Sequence, residues 1–137
     1  MPLLISPATL STAGVLLLAV VAVEWGGYYV LALTRGRRTA TPFQVTFSRA
    51  GHAHAGVLVI LALVAQLYVD AAGLTGVLGL VAREGIPLAA ILMPVGFFLS
   101  SAGGGRTGPN ALIWLLYAGT VSLAAGVVGL GVGLLTA

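Results

Sequence analysis

The sequence predicts an all-α integral membrane protein that folds as one four-helix bundle. Of its 137 residues, 59% are hydrophobic and only 7% are charged, and its mean hydropathy is +1.11. This composition leaves too little polar surface to cover a soluble globule. A chain of this length accommodates about four spans of roughly 20 residues with short connections. We therefore expect a single transmembrane domain over residues 1–137.

The four predicted spans cover residues 8–34, 48–70, 74–101 and 110–135, and the second of them could begin as early as Phe43. Segments with Gly, Pro or Arg separate the spans. The third span is the least regular, because it contains two prolines, Pro87 and Pro94, after the pair Arg83-Glu84. We expect this span to be kinked or preceded by a short interfacial helix, with the charged pair at the break.

The arginines indicate how the chain is oriented in the membrane. Four of them follow the first span: Arg35, Arg37, Arg38 and Arg49. Basic residues near span ends stay on the cytoplasmic side, and Arg106 lies in the next connection of the same parity. We therefore predict a multi-pass cell membrane protein whose segment 35–49 is cytoplasmic and whose termini are both extracytoplasmic. These arginines lie beside lipid headgroups, so the bilayer is the expected partner and nucleic acid is not.

Glycine is abundant, with 20 residues in the chain. Gly129 and Gly133 have the spacing of a small-xxx-small motif, and Gly119 and Gly126 are one heptad apart. This spacing favours close helix packing or oligomerisation. The alternative is that glycine is simply more frequent in membrane helices than in soluble ones.

The only two histidines, His52 and His54, lie at the start of the apolar stretch 57–65. On a helix they project about 200° apart, so they cannot face the same iron. The chain has no cysteine, so thiolate ligands and disulfides are excluded. The small residues around the pair, in segment 50–56, would leave space for a flat macrocycle. The alternative is that both histidines are interfacial residues without a ligand.

Two segments resemble the styrene oxide isomerases, small four-span membrane enzymes that form trimers and bind haem b between subunits. Residues 49–56, Arg-Ala-Gly-His-Ala-His-Ala-Gly, are similar to the Arg-Ala-His-Ser-Gly segment of that family. Residues 96–101, Gly-Phe-Phe-Leu-Ser-Ser, and the Gly-Pro-Asn at 108–110 are similar to the end of its third span and the start of its fourth. The resemblance implies a homotrimer with haem b as cofactor.

Aligning the glycine that follows the family histidine places the iron ligand on His54. The other expected cofactor-binding residues are His52, Arg49, Gly51, Phe98 and Asn110. Arg49 is about 7.5 Å before His54 along a helix, within reach of a haem propionate. A haem held by one histidine keeps a coordination position open for a small apolar substrate or a gas. The resemblance implies that ferric iron acts there as a Lewis acid and converts an epoxide to an aldehyde or ketone.

The sequence departs from the family at three positions. Phe98 stands where the family has a tyrosine that helps to position the epoxide. The family's acidic residue about two turns earlier falls near Ala90, and its asparagine on the second span falls on Ile60. Three functions therefore stay open. The first is the isomerase. The second is a non-enzymatic haem protein, either a gas or redox sensor or a haem carrier. The third is a transport or structural bundle without a cofactor.

Glu24 is the one acidic residue well inside the first predicted span. It lies about 16 Å along the helix from Arg35, close to the bilayer midplane, where a carboxyl group is expected to be functional. It could accept a hydrogen bond from a ligating histidine, line a substrate cavity or take part in proton movement. The alternative is a protonated carboxyl bonded to a neighbouring helix.

Overall fold

The computed structural model describes residues 5–137 and contains four α-helices. They are α1 (Pro7–Thr34), α2 (Pro42–Ala71), α3 (Gly76–Ser100) and α4 (Ile113–Thr136). Each is long and apolar enough to cross a membrane. The predicted all-α, four-span membrane bundle is therefore confirmed. Residues 1–4, which belong to the predicted domain, lie outside the described residues.

The first two helices begin at side-chain caps. The hydroxyl oxygen of Ser6 accepts a hydrogen bond from the backbone N–H of Thr9. Thr41 and Gln44 form a capping box at the start of α2, in which each side chain bonds to the other's backbone N–H. Because Thr41 is the N-cap, α2 begins at Pro42 rather than at residue 48, and Arg49 lies within the helix rather than in a loop.

The third span is one continuous helix that contains Arg83 and Glu84 as well as both prolines. Only a short turn at residues 72–75 separates it from α2. The predicted break at Arg83-Glu84 is therefore wrong. The physical reason is that the guanidinium of Arg83 is paired with the carboxylate of Asp70 at 2.6 Å. A charge that is paired inside the bundle does not need to reach the membrane surface.

The helices pack in chain order, α1 on α2, α2 on α3 and α3 on α4, and the last of these interfaces is the most extensive. The α3–α4 seam is formed by glycines. A Cβ added at Gly126 would lie 2.8 Å from the backbone nitrogen of Ile86, and one at Gly119 would lie 2.9 Å from that of Met93. The close packing predicted from these glycines is therefore observed, because a side chain at either position would separate the two backbones.

The two connections that carry arginine lie at the same end of the bundle. The hydroxyl of Thr41 donates to the carbonyl oxygen of Arg106. The Gln44 amide donates to the carbonyl oxygens of Ser101 at 2.9 Å and Gly103 at 2.6 Å. The arginines of both connections therefore share one end, as the positive-inside pattern requires. The assignment of this end to the cytoplasm stays a prediction.

Candidate functional site

The two histidines face different parts of the bundle. A Cβ added at Gly27 of α1 would lie 3.1 Å from Cε1 of His52, and one at Gly26 would lie 3.6 Å from its Nδ1. The ring of His54 instead packs against Phe97 of α3, with 5.0 Å between ring centroids. The two imidazoles are therefore separate in the structure, which confirms the prediction from their spacing on the helix.

His54 has one ring nitrogen fixed by the backbone. Its Nδ1 lies 2.8 Å from the carbonyl oxygen of Ala50, one turn earlier in α2. A carbonyl oxygen only accepts, so Nδ1 must carry the hydrogen, and in the neutral imidazole Nε2 holds the lone pair. A metal-ligating histidine commonly has this arrangement, with one nitrogen held by a carbonyl and the other free to ligate. The side chain is partly exposed.

The other predicted cofactor-binding residues near His54 have different surroundings. Arg49 is exposed, and no ion pair or hydrogen bond engages its guanidinium within residues 5–137. Gly51 is buried against α3, where an added Cβ would lie 2.9 Å from Cβ of Phe97 and 3.1 Å from the ring of Phe98. The space beside Gly51 is thus filled by two phenylalanine side chains.

Asn110 closes the connection between α3 and α4. Its side-chain amide donates to the carbonyl oxygen of Leu99 at 2.9 Å, and its Oδ1 accepts from the backbone N–H of Leu112 at 2.8 Å. Its own backbone N–H donates to the carbonyl oxygen of Ser100. Both ends of this side chain are therefore engaged in fixing the loop at the start of α4.

A cleft separates α1 from α3 along the bundle, because α1 packs mainly on α2. In the cleft is a cavity of about 460 Å³, the cleft cavity, whose lining includes His52, Ala90 and Phe98. A larger cavity of about 820 Å³ lies at the arginine end, with Phe98 in its wall together with Tyr29. Phe98 is therefore part of both cavities, and Ala90 lines the first.

Tyr29 of α1 contacts Phe98 of α3, a pairing that the sequence did not predict. The two rings meet edge to face, with 6.1 Å between centroids, and the Arg38 guanidinium lies 5.5 Å from the Tyr29 centroid. The sequence shows a tyrosine on the first span, but its register against α3 depends on how the helices pack. Tyr29 therefore places a phenol beside the Phe98 ring.

Glu24 lines a further cavity, of about 430 Å³, on the other side of α1. His52, Gly27 and Tyr28 also belong to its wall. Glu24 is exposed, and within the described part of the chain its carboxylate has no hydrogen bond to another helix. Glu24 therefore lines a cavity together with His52, and its roles toward a substrate, a ligating histidine or a proton stay predictions.

A second polar group, which we call the polar clasp, lies at the opposite end of the cleft. Its members are Ser6, Thr9, Gln66, Asp70 and Arg83. Arg83 donates to Asp70, to Thr9 and to the Oε1 of Gln66, and the Gln66 amide donates back to the Arg83 carbonyl oxygen at 2.7 Å. Ser6 donates to Asp70 from its backbone and its hydroxyl. The clasp therefore joins the start of α1 to α2 and α3 through satisfied polar groups.

The described residues offer no multi-ligand site for a bare ion, and a haem would need only one of their side chains. Within residues 5–137, no group of three or more His, Cys, Asp or Glu side chains is placed to hold a metal ion. A zinc or copper ion bound by side chains needs several such ligands. A haem brings four nitrogens of its own and needs only an axial ligand, which the free Nε2 of His54 can provide.

Comparison with known proteins adds no relative. No family model, no curated protein and no solved structure matches this chain. Inferences about its function therefore depend on the geometry above and on the short segments that resemble the styrene oxide isomerases.

Proposed function

We propose that this protein is a haem b-binding membrane protein in which His54 is the only protein ligand of the iron. The observation that carries the proposal is the hydrogen bond from His54 Nδ1 to the Ala50 carbonyl oxygen, 2.8 Å long, which leaves Nε2 free to ligate. The likeness of residues 49–56 and 96–110 to the styrene oxide isomerases supports it. A single axial imidazole leaves the opposite face of the macrocycle open to a substrate or gas.

Two neighbours of His54 would help to hold the group. Arg49, five residues before His54 in α2, has a guanidinium that forms no ion pair or hydrogen bond within residues 5–137, and a guanidinium is well suited to bind a propionate carboxylate. Phe97 packs beside the imidazole at an interplanar angle of 37° and restricts the rotation of the ring. Because His54 is partly exposed on the bundle surface, a second copy of the chain would be needed to shield the macrocycle from lipid. This requirement agrees with the homotrimer that the resemblance implies.

Bound at His54, haem b would supply a ferric Lewis acid that polarises the C–O bond of an epoxide, so that a 1,2-shift gives an aldehyde or ketone. The residues of the chain would hold the substrate in a site without water. Phe98, Ala90 and Ile60 offer no hydroxyl, carboxyl or amide group for hydrogen bonding to an epoxide oxygen. Orientation of an aryl epoxide would therefore rely on apolar contact.

A second candidate function is a haem protein without isomerase activity, either a gas or redox sensor or a haem carrier. The observation that favours it is the phenylalanine at position 98, which lines both cavities of the cleft but has no hydroxyl. The haem site and the reaction are separate properties, because an axial ligand binds iron whether or not a substrate is positioned beside it.

An absorption spectrum of protein purified after expression with added haem precursor tests the cofactor. We expect a Soret band that shifts on reduction with dithionite, is lost in His54→Ala and is kept in the matched variant His52→Ala. A colourless wild-type protein would overturn the proposal. A band lost only in His52→Ala would move the ligand to the other histidine.

Turnover of an aryl epoxide then separates the two candidates. If the haem-loaded protein converts the epoxide to the isomeric aldehyde and His54→Ala does not, the isomerase is supported. If the epoxide is left unchanged while carbon monoxide binds the reduced haem, the non-enzymatic function is supported.

A further inference from the structure

The imidazole of His52 has a buried nitrogen without a partner. Within residues 5–137, its Nδ1 is the buried side-chain nitrogen or oxygen that forms no hydrogen bond. It lies close to Gly26 of α1, where an added Cβ would be 3.6 Å from Nδ1 and 3.8 Å from the Phe98 ring. Buried polar atoms in native proteins almost always have a partner, so an unpaired one indicates a missing ligand or water.

The cleft cavity is built like a site for a small molecule. Its volume of about 460 Å³ is within the range of known ligand pockets, and its wall is formed by α1, α2 and α3. Among the residues that line it, His52 is the only one with a polar side chain, and the others are aliphatic, aromatic, glycine or proline. An apolar cavity with one polar atom selects a largely apolar, uncharged molecule that has one polar group.

A hydroxyl group can satisfy Nδ1 in either tautomer of the neutral imidazole. If the hydrogen is on Nε2, Nδ1 has a lone pair and accepts from the hydroxyl; if the hydrogen is on Nδ1, Nδ1 donates to the hydroxyl oxygen. The opposite edge of the ring lies toward Gly27 of α1, with Cε1 and Nε2 at 3.1 and 3.4 Å from a Cβ added there. A hydroxyl is therefore the simplest group that supplies the partner Nδ1 lacks.

We infer that the cleft cavity binds a small, uncharged, largely apolar molecule whose hydroxyl group forms a hydrogen bond with Nδ1 of His52. Phenols and apolar alcohols have this chemistry. Because Nδ1 is buried, a side chain of the cavity wall such as Phe98 would shift aside to admit the hydroxyl. Because His54 faces Phe97 on another side of α2, this inference does not depend on the proposed haem.

A matched pair of probes tests the inference. p-Cresol and p-xylene have nearly the same shape and differ in a hydroxyl that replaces a methyl group. Each is titrated into the protein in lipid nanodiscs with ¹⁵N-labelled histidine, and the concentrations are corrected for partitioning into lipid. We expect p-cresol to bind about 2- to 10-fold more tightly, as one net hydrogen bond implies, and to move the Nδ1 resonance of His52. p-Xylene should bind without moving it.

Three variants make the test specific. His52→Phe keeps an aromatic ring but removes the nitrogen, so the preference for p-cresol should disappear while p-xylene still binds. His54→Phe should keep the preference, and because it also removes the proposed haem ligand, failure of the haem proposal would leave this result unaffected. Ala90→Phe fills the cavity and should prevent binding of both probes.

Three outcomes would overturn the inference. They are equal affinities of the two probes for the wild-type protein, a preference that persists in His52→Phe, and failure of both probes to bind, as when a lipid chain fills the cavity. If His52→Phe does not fold, the wild-type resonance of Nδ1 still decides between the probes, because only p-cresol has a hydroxyl that can form a hydrogen bond with it.

Discussion

The two sides of α3 are packed in opposite ways. On one side, glycines of α3 and α4 let the two backbones approach so closely that a Cβ at Gly85 would lie 2.6 Å from Cα of Gly126. On the other side, α1 stays apart and leaves a cleft with cavities of about 460 and 820 Å³. A polar atom without a partner is found on the open side, at His52.

This difference separates the part of the molecule that supports the fold from the part available to a ligand. Lipid offers no hydrophobic drive for helix association, so close backbone packing and satisfied polar groups must hold a membrane bundle together. The α3–α4 seam and the polar clasp meet this need. The cleft does not have to hold helices together, so its small residues and the imidazole of His52 are available to a bound molecule.

Arg83→Met should have the largest effect on stability, because it removes the cation of the polar clasp. Asp70 would keep a charge that is only 8% exposed and has lost its strongest partner. Breaking a buried ion pair from one side costs about 3–5 kcal/mol. The measurement is the free energy of unfolding in a mixed-detergent titration, with the exposed Arg35→Met as the matched control.

The double variant Arg83→Met with Asp70→Leu should recover most of the loss, since replacing both partners removes the unpaired charge. If the single variant unfolds like the wild type, the clasp contributes nothing measurable, and the contrast between a stabilising end and an open cleft is wrong.

Gly126→Ala should have the next largest effect, because the added methyl would lie 2.8 Å from the Ile86 nitrogen and 3.0 Å from Gly85 Cα. Backbone cannot move aside as a side chain can, and overpacking typically costs about 1–3 kcal/mol. The matched control is Gly131→Ala on the same helix, where an added Cβ meets nothing within 4 Å. Equal stability of the two variants would show that the α3–α4 seam can accommodate a methyl group at Gly126.

The sequence predicted the class, the four spans and the separation of the two histidines, because hydropathy and helical periodicity are local properties. It placed Arg83 at a break in the third span, whereas Arg83 is inside α3 and paired with Asp70. That pairing joins residues 13 positions apart on different helices, and no local pattern encodes it. The cleft likewise depends on α1 packing on α2 rather than α3, which hydropathy does not specify.

Gly51→Ala should have a smaller effect, of about 1 kcal/mol. Its Cβ would lie 2.9 Å from Phe97 and 3.1 Å from Phe98, but these are side-chain atoms that can shift. Gly56→Ala, five residues further along α2, is the control, because its nearest neighbour would be Val23 at an ordinary 4.0 Å. Denaturant titration compares the two variants. If Gly51→Ala has the same stability as the wild type, the two phenylalanine side chains move toward the cleft without a measurable free-energy cost.

Ala90→Leu should have the smallest effect, within about 0.5 kcal/mol of the wild type, although Ala90 is only 9% exposed. Its side chain lines the cleft cavity, so three added carbons enter open space and gain apolar contact. The neighbouring Ala89 is fully buried in the core, and Ala89→Leu should cost about 1–3 kcal/mol by overpacking. The same titration measures both. If Ala90→Leu were as harmful as Ala89→Leu, the space between α1 and α3 would be closed in the membrane. Adjacent alanines of one helix therefore test whether its two sides differ as described.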